Sequence, residues 1–429
     1  MNSLSILSVS TFLVAYFFIV QEKIHKTIIV ILASFFLALF GVYNNHGSKG
    51  QFDNMLHFID FNVLSLIVGM MIIVRITEKS GVFTFLAMKI VEATKGNMKL
   101  IFFSLMILTA VMTALLSNVT TVMILTPVFL VICYRFHINP LPFFITEILL
   151  SNIGGTATPV GDMTNIIIAS KAGFSFNHVV VNLAPVVMVI AFVVAGLATF
   201  IFRKDLKNAC KDQMDELKGQ KWISDPVLMK KGLGVLSMVI CGFIFHDFIG
   251  VENGVIALSG AMLLLILTKK EPKEAFQLVE WPIVFFFVGL FTLIGSLEIT
   301  GVIDILAEQI IDVFGENQAL LMMVMVFASA VFSAFVDNIP FATAMIPIIF
   351  KLGHETGMPT EPLFWSLALG ACIGGSGTLV GASCNLVVAG IAEQNEIPLT
   401  FKKYFSYAFP LMMIGVVIAA IYLYVFYTG

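Results

Sequence analysis

Apolar runs of membrane-spanning length recur along the chain, and in two regions polar clusters interrupt them. Runs near the length that a bilayer requires predict spans at 4–20, 26–43, 61–77, 180–202, 230–248, 253–268, 281–297 and 404–427. An amphipathic stretch follows the third span at about 80–96, and another follows the seventh at about 300–313. The regions 99–172 and 318–392 instead hold apolar segments broken by glycines and polar residues. One break, SNIGGTATPVGDMTN at 151–165, lies between LPFFITEILL and IIIAS. Unpaired backbone groups are costly in hydrocarbon, so a break survives only where protein buries it or a wet cavity reaches it. It is either a satisfied packing kink or a binding site.

The pattern occurs twice. Under a shift of 220 residues, Asp60 falls on Glu280, Gly69 on Gly289 and Gly81 on Gly301. SNVTTVMILTPV (117–128) falls on DNIPFATAMIPI (337–348), and SNIGGTATPVGDMTNIIIAS (151–170) on ACIGGSGTLVGASCNLVVAG (371–390). In the last pair eight of twenty positions are identical, among them glycines, a threonine and an asparagine that apolar composition alone would not align. The break is therefore present in both copies of an internal duplication, which argues against an accidental kink. The expected organisation is a first repeat at 1–202, a hydrophilic linker at 203–231 and a second repeat at 232–429.

Composition and charge turn this pattern into a topology. The chain has 429 residues, 59% apolar and 12% charged, as expected of an all-α polytopic membrane protein. The first run has no basic residue before it and no small-x-small site after it, so it reads as a retained span. Let 99–134 and 318–351 be re-entrant hairpins turning at Ser117-Asn118 and Asp337-Asn338, and let 141–172 and 361–392 each cross once as broken helices. Each half then has five spans plus one hairpin, and the odd number inverts one copy relative to the other. With both termini extracytoplasmic, 21 of the 24 Lys and Arg residues fall on the inner side, leaving Lys49, Lys171 and Lys351 outside. That asymmetry satisfies the positive-inside rule; the expected location is the plasma (inner) membrane. The five cysteines (Cys133, Cys210, Cys241, Cys372 and Cys384) have no ligand spacing and read as unpaired packing residues. No phosphate loop, nucleophile elbow or HExxH motif is present, so neither an enzyme nor a built-in ATPase is expected, and no cofactor.

Two hairpin tips and two broken helices related by inversion converge near the bilayer midplane. Their helix ends present N–H groups and carbonyls suited to a small dehydrated ion. Candidate ligands are Ser117, Asn118, Thr120 and Thr121 at the first tip and Asp337 and Asn338 at the second. At the breaks they are Gly154, Gly155, Thr156 and Thr158, with Gly374, Gly375, Ser376 and Thr378. The bland alternatives are capping at the tips and close small-residue packing at the breaks. Asn165 and Asn385 are matched amides that suit ligand contact and interhelical hydrogen bonding equally. Pro127 and Pro347 read as kinks. Three carboxylates, Glu147, Asp162 and Asp337, look intramembrane and have no acidic partner under the shift, which marks them for proton or cation coupling. No Lys or Arg is expected at comparable depth. The coupling ion is Na+ or H+, and no other metal is indicated.

DNIPFATAMIPI, GACIGGSGTLVGASCNLVVAGIAEQ, SNVTTVMILTPV and SNIGGTATPVGDMTNIIIAS resemble the ion transporter superfamily, through most of the chain. The resemblance is to the branch containing the ArsB arsenite pump, NhaD-type antiporters and the melanosomal P protein, and more distantly to sodium-coupled citrate and dicarboxylate carriers. That branch has Asp-Asn at both tips, where this chain has Ser117-Asn118 at the first, and prolines after the Gly-Asp of the first break, where this chain has Met163-Thr164. The resemblance implies a homodimeric elevator, with a scaffold at about 1–98 and 230–317 and a transport unit at about 99–202 and 318–429. It implies sodium/proton exchange, sodium-coupled uptake of a small organic anion or amino acid, or arsenite efflux with a separate ATPase. The acidic trio favours exchange, and no thiol constellation favours arsenite. A small ion or molecule and the bilayer are the expected partners, with no nucleic acid.

Overall fold

The computed structural model describes residues 3–21, 23–44, 50–206, 221–315 and 317–427. Among the basic residues counted above and the five cysteines, Lys49, Lys207, Lys211, Lys218 and Cys210 lie outside them. The described residues form helices joined by turns, with no strand among them. Among the described residues, eight helices are long and apolar enough to cross a membrane, and five more are shorter and apolar.

The predicted spans are helices with slightly shifted ends. Ser3–Gln21 and Lys26–Leu39 open the first half, and Pro226–Ile249 and Asn253–Thr268 open the second. Phe61–Glu78 and Trp281–Ile299 follow, each ending near a glycine in the left-handed region (Gly81, φ 81°; Gly301, φ 72°). Only glycine takes that conformation without strain. There the chain turns into the amphipathic helices Val82–Ala93 and Val302–Phe314. Two short helices, Gln51–Leu56 and Pro272–Phe276, were not expected from the apolar pattern, being too short and too polar to register in it.

Each region expected to form a hairpin is a pair of helices joined by a tight turn. Met98–Leu115 is capped by Asn97, whose Oδ1 accepts from Leu100 N at 3.3 Å. Gln318–Phe335 is capped by Asn317, whose Oδ1 accepts from Leu320 N at 3.0 Å. Two extended residues then reverse the chain, Leu116-Ser117 and Val336-Asp337, and the returning arms are Asn118–Arg135 and Asn338–Thr356. Pro127 and Pro347 sit inside those arms. The broken helices are Leu141–Gly155 with Met163–Ala172, and Glu361–Gly374 with Ser383–Gln394. Phe176–Ile201 and Phe401–Tyr427 complete the halves and pack on one another.

The halves interlock. Lys26–Leu39 packs on Trp281–Ile299, and Asn253–Thr268 packs on Phe61–Glu78. Each returning hairpin arm packs on the post-break helix of the other half. The outer helices keep Phe17, Phe35, Met188, Phe192, Phe200, Phe245, Phe248 and Tyr424 exposed. Exposed apolar side chains in such number are what a hydrocarbon environment accepts.

Candidate ion site between two hairpin tips

Each break is satisfied from within the protein, and in the same way. Thr158 Oγ1 donates to Ala114 O at 2.6 Å, and Thr378 Oγ1 donates to Ala334 O, the same pair shifted by 220. The Thr158 oxygen also accepts from Val160 N (3.2 Å) and Gly161 N (3.1 Å), and Thr378 Oγ1 accepts from Val380 N (3.2 Å). Asn165 Nδ2 donates to the carbonyls of Thr156 (2.9 Å) and Thr158 (3.4 Å). Asn385 Nδ2 donates to those of Gly375 (2.7 Å) and Thr378 (2.8 Å). The two asparagines also reach across to the opposite broken helix. Asn165 Oδ1 accepts from Cys372 Sγ at 3.5 Å, and Asn385 Oδ1 accepts from Asn152 Nδ2 at 3.0 Å. Both amides thus brace the breaks by hydrogen bonds within and between the halves. Thr156 and Ser376 turn their hydroxyls back onto Asn152 O and Ile373 O.

The glycines allow helix-to-helix contact. A Cβ on Gly154 would stand 2.3 Å from Ala110 O, and one on Gly374 2.4 Å from Ala330 O. Gly155 and Gly375 pack against the turns at Gly161 and Gly381.

Packing brings Asn118, Asp162 and Asn338 together. Asp162 caps Met163–Ala172, its Oδ1 accepting from Thr164 N at 2.8 Å. Asn118 Nδ2 donates to Asp162 Oδ2 at 2.9 Å, and Asn118 N to Gly161 O at 3.1 Å. Asn338 Nδ2 reaches both Asp162 oxygens at 3.4 Å from the other hairpin. All three residues are buried. These hydrogen bonds to the carboxylate come from neutral N–H donors. Such bonds to a charged acceptor contribute about 1.5–3 kcal/mol each. They orient the carboxylate without cancelling its charge, which a cation or proton can do.

The remaining candidates are placed differently. Ser117 caps its helix through Thr120 N at 3.3 Å and meets Thr120 Oγ1 at 2.8 Å. Thr121 Oγ1 is buried with no hydrogen-bond partner among the described residues. Glu147 is buried away from the tips: Thr126 Oγ1 donates to its Oε1 at 3.0 Å, and its Oε2 has no partner among the described residues. Asp337 caps Asn338–Thr356 through Ile339 N at 3.2 Å.

Lys26 corrects the expectation that no basic residue accompanies these carboxylates. Its Nζ lies 2.5 Å from Asp337 Oδ2 and donates to Ser383 Oγ at 2.8 Å. Position 26 reads as an inner-loop charge in the sequence. The helix starts there, however, and the long side chain reaches a partner 311 residues away. Ser383 and Asn152 were likewise missed, because Lys26 and Asn385, the partners that single them out, lie in the other half.

A cavity of about 320 Å³ joins these groups, lined by His25, Lys26, Asn118, Asp162, Asn338 and Ser383, with Glu280 and Phe286. Two larger hollows are elsewhere. One, of about 750 Å³, is an apolar groove on the first two helices. The other, of about 720 Å³, is lined by Lys171, Asp304, Lys351 and His354 and does not touch Asp162. The smaller cavity is the one whose walls carry matched polar groups from both halves.

The all-helical bundle of membrane-length and broken helices is that of a secondary transporter of the membrane. The chain belongs to the citrate transporter family, whose model matches residues 16–370 and, separately, 295–429. It is 34% identical over 430 residues to a 46 kDa membrane protein of Mycobacterium leprae, covering 99% of each chain. An uncharacterized transporter of Mycobacterium tuberculosis is 34% identical over 428 residues, again with 99% of each covered. The human P protein is 31% identical over 489 residues, covering 95% of this chain and 58% of that protein. The fold is similar to that of the YdaH transporter of Alcanivorax borkumensis (TM-score 0.64, 13% identity, 99% of this chain and 98% of that one). It is also similar to MtrF of Neisseria gonorrhoeae (TM-score 0.57, 15% identity, 97% of each). The resemblance to the ion transporter superfamily read from the motifs is borne out.

Proposed function

We propose that this chain couples movement of its substrate to a cation, sodium or a proton, bound at Asp162 between the two hairpin tips. The observation that carries this reading is the Asp162 carboxylate, buried and held by amide N–H groups from both hairpins. Leaving that charge unpaired is costly, so a bound cation stabilises the site. In this reading the broken helices, hairpins and final helices move as one unit against a scaffold of the early spans, and the protein works as a homodimeric elevator. The amphipathic helices Val82–Ala93 and Val302–Phe314 connect the two. Ion exchange is the first form of this coupling. Cation-coupled uptake of a small organic anion is the second, favoured by Lys26 and His25 in the cavity wall.

The test is transport in proteoliposomes with imposed gradients. A sodium or proton gradient should drive at least tenfold accumulation of the coupled solute, which requires roughly 1.4 kcal/mol of driving force. Indifference to both gradients removes the cation-coupled reading.

Orientation has its own test. Single cysteines at Ser224, whose N–H donates to Ser80 O at 2.9 Å, and at Ser48, which lies outside the described residues, should label from opposite faces, Ser48 from outside. Labelling of both from one face contradicts the inverted topology.

A further inference from the structure

Lys26 stands where a bound cation would otherwise neutralise the second tip. Its ammonium touches Asp337 and Ser383 at the distances given above, and its Nζ is 4.9 Å from the Phe286 ring centroid. The pair is mostly sheltered, with side-chain exposures of 27% and 12%, so it is less screened than a surface pair. Lys26 opens a helix that packs on Trp281–Ile299, whereas Asp337 and Ser383 open helices of the hairpin and of the second broken helix. One ion pair thus ties together the two parts that the proposed function sets in relative motion. The side chain also lines two cavities, the one of about 320 Å³ that holds Asp162 and another of about 250 Å³ beside Val336 and Ala382. The other ionisable groups facing the first are His25, Asp162 and Glu280.

The arrangement is one-sided. The corresponding helix of the second half opens with Asn253, and the first tip carries Ser117 in place of Asp337. A tethered cation therefore serves one tip, while Asp162 has hydrogen bonds only.

We infer that Lys26 is an internal counter-ion of Asp337, which holds the second hairpin tip in the unloaded carrier and competes there with a second cation, distinct from the one proposed at Asp162. This rests on the cation-coupled reading above. A lysine suits the task because its charge sits on a flexible stem and can swing aside without moving its helix. Moving the tip away from Lys26 with Asp337 unneutralised would strand a sheltered carboxylate, and the cost of that opposes movement of the empty carrier. A cation arriving at Asp337 displaces the ammonium and removes the cost. Lys26 is a positioning residue in this scheme, acting on the tip through Asp337.

The test compares the parent protein, Lys26→Gln, Lys26→Arg and Asp337→Asn in lipid nanodiscs and in proteoliposomes. Sodium against choline, or protons, is the probe, whichever drives the parent. In cation-free buffer, amide hydrogen exchange over residues 336–341 should be at least tenfold faster in Lys26→Gln than in the parent, with Lys26→Arg close to the parent. The cation concentration for half-maximal transport should fall at least fivefold in Lys26→Gln, because its competitor is gone. Asp337→Asn should also loosen the tip, and there the cation should add no protection. Parent-like tip exchange in both neutral variants overturns the inference, as does an unchanged or raised half-saturation in Lys26→Gln while the parent remains cation-dependent. A parent that responds to neither cation overturns the coupled reading itself, and the displacement of Lys26 with it.

Discussion

Asp162→Asn should weaken cation coupling more than any other single substitution in the site. The amide keeps the size of the carboxylate and loses its charge. It also disturbs the hydrogen bonds, because both Asn118 and Asn338 present N–H donors to this side chain. Asn118 cannot simply turn over, since its Oδ1 already accepts from Val119 N at 2.8 Å. An amide at 162 offers one acceptor where the carboxylate offers two, and its own N–H groups face other N–H groups. One charged hydrogen bond lost is about 1.5–3 kcal/mol, so apparent cation affinity should fall by about 10- to 100-fold. The variant should still fold, because Thr164 N can be capped by the amide oxygen. Transport measured against pH at several sodium concentrations decides the matter. A parent-like pH profile with parent-like sodium affinity would make Asp162 a helix cap only, and organic-anion uptake held by Lys26 would become the stronger reading.

Much of this arrangement is legible in the sequence, for identifiable reasons. The hairpins and breaks can be read because polar clusters inside apolar runs violate the rule that lipid-exposed backbone must be satisfied. The duplication can be read because its matched positions are glycine, threonine and asparagine, whose roles are specific. Thr158 and Thr378 pin equivalent breaks to equivalent carbonyls, and that single geometric task keeps the same residue at both places. What cannot be read is partnership across the halves. Asn165 and Asn385 carry the same side chain whether they hold an ion or brace a break, and only the positions of the surrounding carbonyls separate the two. Lys26 is further from reach still. Its meaning depends on a tip 311 residues away, and a basic residue at the start of a helix otherwise reads as an ordinary inner-loop charge. The redistribution of carboxylates has the same character. The first half places its acid after the break, at Asp162, and the second places its acid at the tip, at Asp337, so a search for matched pairs finds none.

The frame itself should be intolerant of a single methyl group. At Gly154 an added Cβ would lie 2.3 Å from Ala110 O and 2.5 Å from its Cα, and at Gly374 it would lie 2.4 Å and 2.5 Å from the same atoms of Ala330. These neighbours are backbone on the first arm of each hairpin, so no rotamer change relieves the contact. The arm must shift, carrying with it Ala114 or Ala334, the carbonyls to which Thr158 and Thr378 donate. Overpacking of this kind costs about 1–3 kcal/mol in stability. The functional loss should be larger, because displacing the arm moves Asn118 or Asn338 relative to Asp162. Gly196→Ala is the matched control. Gly196 lies inside Phe176–Ile201 with nothing within 4 Å of its would-be Cβ. There alanine should stabilise the helix by about 0.5–1 kcal/mol and leave transport intact. Thermal unfolding in detergent together with transport in proteoliposomes reads both signs. Gly154→Ala and Gly374→Ala should each lower the unfolding temperature and abolish transport, while Gly196→Ala should hold or raise it. Parent-like transport in either break variant would show that the hairpin tips are positioned independently of the helix contact at the break, and the packing account of the ion site would fail.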